Sequence, residues 1–132
     1  MAENQGAMLK AAFAALALTV LLAGCGGGGG GSNTTAQPPG SVKVTMSDFK
    51  FDPNALTVPA GKSVFYLVNN GPASHDMTIA DSSGKVIAKS SLVQSGDTST
   101  FTVDNLAAGK YQVYCDVVGH KDAGMVGTLT VT

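Results

Sequence analysis

The 132-residue chain contains no arginine, only two histidines and only two cysteines, Cys25 and Cys115. Its formal net charge is −1, and 13% of its residues are charged. Nucleic-acid binders carry a basic stripe that displaces counterions from phosphates. Nothing of that kind is present, so nucleic acid is excluded as a partner. No 3.6-residue apolar periodicity is sustained after Cys25, which excludes a helical bundle. The apolar stretch at 11–20 is too short for a membrane-spanning helix and has no stop-transfer pattern behind it. The 17 glycines exceed average usage, but many fall in one run and say little about a core.

Residues 1–25 read as an export signal, with Lys10, the apolar stretch and then small residues. The end of this segment, Leu22-Ala23-Gly24-Cys25, resembles the lipobox of bacterial lipoproteins. That resemblance implies cleavage before Cys25, lipidation of Cys25 and an anchored protein facing the periplasm or the cell exterior. Glu3 is out of place in a signal, which leaves Met8 as an alternative start, and a non-lipidated signal as the alternative reading. If Cys25 carries lipid, Cys115 is a lone thiol in an oxidising compartment, where an unbound thiol is a liability.

Residues 26–40, "GGGGGGSNTTAQPPG", are expected to form a flexible linker with a reach of roughly 20 Å. Residues 41–132 then alternate between β-type runs and turns. "VKVTM", "FKF", "LTV", "SVFYLV", "HDMTIA", "KVIAK", "TSTFTV", "KYQVYC" and "VGTLTVT" are separated by Pro, Gly, Asn and Asp clusters. "SSLVQS" has room for one helical turn at most. The pattern predicts an all-β domain, a Greek-key β-sandwich or barrel of seven to eight strands. In "KYQVYC" the two-residue period places Tyr111, Val113 and Cys115 on the core face and Gln112 and Tyr114 opposite. Met46 and Met77 are assigned to the core.

Cys115 opens the loop "YCDVVGHKDAGMVG", which brings Cys115, His120 and Met125 within eleven residues. Taken singly, a turn histidine is usually solvated and a strand-end cysteine is usually a small core hydrophobe. Together with His75, which follows the "NNGPAS" turn, they make two imidazoles, one thiol and one thioether. That is the donor set of a blue-copper centre, where soft sulfur favours Cu(I) and imidazole suits both oxidation states. Gly119 and Gly124 permit a tight loop.

The segments "FKFDPNALTVPAGKSVFYLVNNGPASHD" and "AAGKYQVYCDVVGHKDAGMVGTLTV" resemble the cupredoxins, in particular the plastocyanin, azurin and auracyanin group. The spacing Cys-x4-His-x4-Met looks most like auracyanin. The resemblance implies one copper ion held by His75, Cys115, His120 and Met125. It also implies one-electron transfer rather than enzymatic activity, and a monomer that meets redox partner proteins at an apolar rim. Gly71, Pro72, Ala73, Val117, Val118 and Ala123 are the residues available for that rim. Two positions depart from the pattern. Asp76 stands where many members have Asn, and an ionised carboxylate cannot donate a hydrogen bond. Val117-Val118 replaces an aromatic–Pro pair. Copper capture and delivery is the alternative function, and a metal-free assembly lipoprotein a lesser one. A copper enzyme with a second centre would need more histidines than the chain holds.

Overall fold

The computed structural model describes residues 31–132. The expected signal at 1–25, Cys25 and the first part of the linker lie outside the described residues. Nine strands form, in two sheets, and no helix occurs among the described residues. They are β1 (Val42–Ser47), β2 (Lys50–Asp52), β3 (Ala55–Val58), β4 (Gly61–Asn69), β5 (Thr78–Ala80), β6 (Val86–Lys89), β7 (Thr98–Leu106), β8 (Gly109–Tyr114) and β9 (Val126–Val131). One sheet has the order β2-β1-β4-β7 and the other β3-β9-β8-β5-β6. The all-β sandwich is as predicted. The strand number exceeds the expected seven to eight because the run before Val58 divides: β2 folds back on β1, and β3 pairs with β9 in the opposite sheet.

Burial follows the two-residue period. Val44 and Met46 of β1, Phe65 and Leu67 of β4, and Phe101 and Val103 of β7 turn inward from one sheet. They meet Ile79, Val113, Leu129 and Val131 from the other. Fully burying side chains of this size contributes about 1.5–3 kcal/mol each, so this layer holds the sheets face to face. Met46 and Met77 lie within it, both fully buried.

Two aromatic residues break the alternation, each for a visible reason. Tyr66 points outward from β4 yet is buried, because residues 33–35 lie across it and its hydroxyl donates to the Thr35 carbonyl at 2.6 Å. The same segment is tied to the start of β7. Thr98 N–H donates to the Asn33 carbonyl at 2.9 Å, and Asn33 N–H to Asp97 Oδ1 at 2.7 Å. The second half of the expected flexible linker is therefore a docked strap, because β7 is an edge strand with backbone groups left to pair. Tyr114 lies on the outer face of β8, as its period requires, and is covered by Lys121, whose Nζ sits 3.9 Å from the ring centroid.

The strand directions decide where chemistry collects. The end of β4, the segment leading into β5, the end of β8 and the start of β9 all lie at one pole. Thr78 pairs with Tyr114, and Tyr114 with Val126. The expected strand at 75–80 is shorter than anticipated, with only Thr78–Ala80 regular. His75 instead makes an isolated two-way bridge with Val93, N–H to carbonyl at 3.1 and 2.8 Å. That bridge draws "SSLVQS" into extended backbone at Val93, where the sequence allowed a helical turn.

Candidate metal centre

Three segments converge at this pole. Cys115 follows the last residue of β8, and its N–H donates to the Met125 carbonyl at 3.2 Å. The loop between them turns back on itself through left-handed backbone at Gly119 (φ 83°) and Gly124 (φ 104°), which other residues adopt only with strain. Internal bonds close it: His120 N–H to the Val117 carbonyl, Ala123 N–H to the Gly119 carbonyl and Met125 N–H to the His120 carbonyl, each 3.0 Å. His75 arrives from the other side, behind a loop pinned by Asn69. The Asn69 amide is fully buried, donates to the carbonyls of Ala73 (2.8 Å) and Val93 (2.9 Å), and accepts from Gly71 N–H (2.9 Å).

The result is a cluster. His75 Nδ1 and His120 Nδ1 are 3.1 Å apart, and Cys115 Sγ lies 3.9 Å from the first and 3.6 Å from the second. Three ligands in a trigonal plane, on bonds of zinc-like length, would place nitrogens ~3.5 Å from each other and ~3.7 Å from sulfur. The two sulfur–nitrogen separations are close to these values and the two nitrogens lie somewhat nearer together, so one metal ion would be accommodated with small shifts of the rings. Met125 is fully buried, and its backbone bonds tie it to both Cys115 and His120. Two imidazoles, a thiol and a thioether fit one copper ion better than they fit a hard cation.

The protonation states favour the same use. Burial, and then the neighbouring His120 ring, hold His75 below its ordinary 6.5, which keeps the imidazole neutral and able to ligate. Burial pushes the Cys115 thiol above its ordinary 9.0, against the N–H groups of Asp76 and Val117 that favour its anion. Cys115 would ligate a metal ion as the thiolate and would give up its proton on doing so.

The surroundings extend beyond the donors. Asp76 N–H points at Cys115 Sγ at 3.5 Å, and the Asp76 carboxylate accepts from Asp116 N–H at 2.8 Å. A carboxylate at this position thus serves by accepting, where its inability to donate had raised a question. Lys89 of β6 bridges the two acids, its Nζ 2.7 Å from Asp116 Oδ2 and 3.5 Å from Asp76 Oδ2. On the opposite flank, Asp48 Oδ1 lies 3.3 Å from His75 Nε2, and the Phe49 ring meets His120 edge-on at 5.2 Å.

The residues expected at the docking rim are placed unequally. Pro72, Val118 and Ala123 are exposed, Val118 almost completely at 97%. Ala73 is half-buried, and Val117 is half-buried and packs against the core. Gly71 is buried and does not belong to an exposed rim. A Cβ there would lie 2.8 Å from Asp48 Oδ1 and 3.0 Å from His75 Nε2, so its lack of a side chain makes room for that pair. Sequence reasoning missed Asn69, Asp48, Phe49 and Lys89. Asn69 and Asp48 stand in ordinary turn contexts, and nothing local marks them as reaching residues 24 or 27 positions away.

The Cupredoxin-like domain family matches residues 12–131. The chain belongs to the cupredoxin-like family. This cupredoxin is 34% identical over 91 residues to a plastocyanin of Nostoc punctiforme, a match covering 61% of this chain and 63% of that one. It is 26% identical, over an alignment of 141 positions, to the copper-resistant cuproprotein CopI of Pseudomonas aeruginosa, covering 73% and 78% of the two chains. Among solved structures it shares its fold with auracyanin B (TM-score 0.65, 24% identity, 78% of this chain and 96% of that one). A dithionite-reduced auracyanin of Roseiflexus castenholzii is similarly close in fold (TM-score 0.62, 21% identity, 78% and 99%).

Proposed function

We propose that this cupredoxin is a one-electron carrier with a single blue-copper centre held by His75, Cys115, His120 and Met125. The observation that carries the reading is the convergence of two imidazole nitrogens and one thiol sulfur within 4.8 Å of one another. Copper, when bound, supplies one-electron redox chemistry. The chain's own part is to hold the donors so that little moves when the electron does. The Cys115–Met125 bond, the bonded loop and the Val93 bridge fix them before any metal enters. His120 is the half-buried donor and His75 the buried one, so the electron exchanges through His120 at the surface.

Redox partner proteins dock around His120, against Pro72, Ala73, Val118 and Ala123. Small side chains there permit close approach, and small redox interfaces suit brief encounters. A lipid on Cys25 holds the protein at the cell membrane, facing the periplasm or exterior, as a monomer. Cys25→Ser then moves the protein from the membrane fraction to the soluble one; wild-type protein found free of membranes removes the anchor from this reading.

The carrier reading is tested by absorption and EPR spectra of the copper-loaded protein, with Cys115→Ser as control. An intense visible thiolate-to-Cu(II) band, bleached reversibly by reductant and absent from the variant, is expected. Likeness to a copper-resistant cuproprotein favours copper capture as a second reading. A colourless protein that yields Cu(I) readily to a weak chelator would favour capture and overturn the carrier.

A further inference from the structure

The β1–β2 turn touches both histidines, and its two residues do so in different ways. Phe49 is the one non-glycine residue with left-handed backbone among those described, at φ 61°. An aromatic residue in that region is strained, and such strain persists only where the surroundings enforce it. Here it turns the half-exposed ring edge-on to His120 and sets the preceding carboxylate against His75.

His75 offers Nδ1 to the donor cluster, which leaves Nε2 to carry the ring proton. That nitrogen is buried and has no well-aligned hydrogen-bond partner. Asp48 Oδ1, 3.3 Å away, is close enough to accept, although the contact is bent from the ideal line. The Asp48 side chain is 40% exposed while His75 is wholly enclosed, so the carboxylate reaches in from the surface. Gly71 supplies the room, since a side chain there would collide with both atoms.

We propose that Asp48 is a positioning residue for the copper centre, accepting the His75 Nε2–H and biasing the site toward Cu(II). This rests on the copper-carrier reading above. A carboxylate behind a ligating imidazole fixes its tautomer, raises its basicity and places a negative charge near the metal. The first orients the ring for either oxidation state, and the other two favour the more highly charged ion. Asp48 therefore lowers the reduction potential, while Gly71 keeps the contact open and Phe49 holds the turn that delivers it.

The test uses copper-loaded full-length protein as wild type, Asp48→Ala, Asp48→Asn and Gly71→Ala. Removing such a partner is expected to weaken Cu(II) binding by roughly tenfold or more in Asp48→Ala, with Cu(I) binding much less affected. Each tenfold change in that ratio raises the potential by about 59 mV. NMR of the diamagnetic Cu(I) protein should show a slowly exchanging His75 Nε2–H in wild type and in Asp48→Asn, whose amide oxygen still accepts. The signal should exchange faster in Asp48→Ala and in Gly71→Ala, where the wedge separates the pair. Asp48→Asn should keep the protected proton yet show the raised potential, because its charge is gone. An Asp48→Ala protein with unchanged potential and unchanged ring-proton exchange would overturn the proposal. So would equal weakening of Cu(I) and Cu(II), which marks loosened packing alone. A wild-type protein with no thiolate–copper band instead rejects the carrier reading.

Discussion

The two histidines of the centre occupy opposite conditions. His75 is fully enclosed, bridged on both backbone sides by Val93 and approached at its far nitrogen by Asp48. His120 sits half-buried in a loop of glycines and short bonds, with the Phe49 edge beside it. One donor is fixed by the sandwich, while the other is presented by a loop to whatever comes near. Under the proposed carrier function, a centre that must stay rigid and still exchange electrons needs both conditions, and placing them on separate donors avoids a compromise in either.

The largest effect that breaks this comparison comes from truncating each ring in turn. His120→Gly should open a gap that added imidazole can enter, restoring the visible band on addition. His75→Gly should leave a cavity closed to solvent, with no rescue by imidazole at the same concentration. Titrating imidazole into both copper-loaded variants checks the pair, and equal rescue would erase the distinction drawn from burial. Next comes Asn69→Ala, which acts on the His75 side alone. It strips the Ala73 carbonyl of its amide donor and weakens the bonding of Val93 in a buried setting. About 2–3 kcal/mol of stability should be lost, read from chemical denaturation of the metal-free protein. Because the change loosens the loop before His75, the copper spectrum should broaden more than its band position moves.

How much of this was visible in the chain depends on the range of each interaction. Strand positions followed from alternation in "VKVTM", "SVFYLV" and "TSTFTV", and Cys115, His120 and Met125 lie in one loop, so their adjacency needed no tertiary information. His75 joined them through its turn context and the resemblance to a family. The contributions of Asp48, Asn69 and Lys89 depend on strand order, which sets β1, β4 and β6 around the centre. A linear sequence does not state that order. Gly71 was misread for the same reason. An Asn-Gly-Pro turn reads as exposed, yet here the glycine is the floor under an Asp–His pair. Composition predicts a flexible linker at residues 33–35, but the edge strand β7 offers backbone groups that pair with them.

A smaller effect is a pH dependence that belongs to the buried histidine. His75 is held below 6.5 in the folded metal-free protein, first by burial and then by the His120 ring. The unfolded chain therefore binds more protons as the pH falls through about 6.5, and folding stability falls with it. The loss continues until the pH passes below the folded value, where it levels off. Thermal unfolding of the metal-free protein between pH 8 and pH 5 should show this decline. His75→Gln should flatten it, whereas a slope unchanged by that substitution would assign the effect to another group.

The smallest expected effect concerns the flank opposite Asp48. Lys89 joins the carboxylates of Asp116, which follows Cys115 in the chain, and Asp76, whose N–H points at Cys115 Sγ, and so offsets negative charge beside the sulfur. It is partly exposed, so solvent and salt screen it heavily, and global stability should hardly change in Lys89→Met. The potential should fall slightly, because losing a nearby cation favours Cu(II), and the shift should shrink as salt is raised. This is opposite in sign to Asp48→Ala and opposite in salt sensitivity to any effect of packing. Measuring both variants across one salt series sets the two flanks of the centre against each other. A rise in potential for Lys89→Met would mean that Lys89 acts by shaping the Asp76–Asp116 contact and not through its charge.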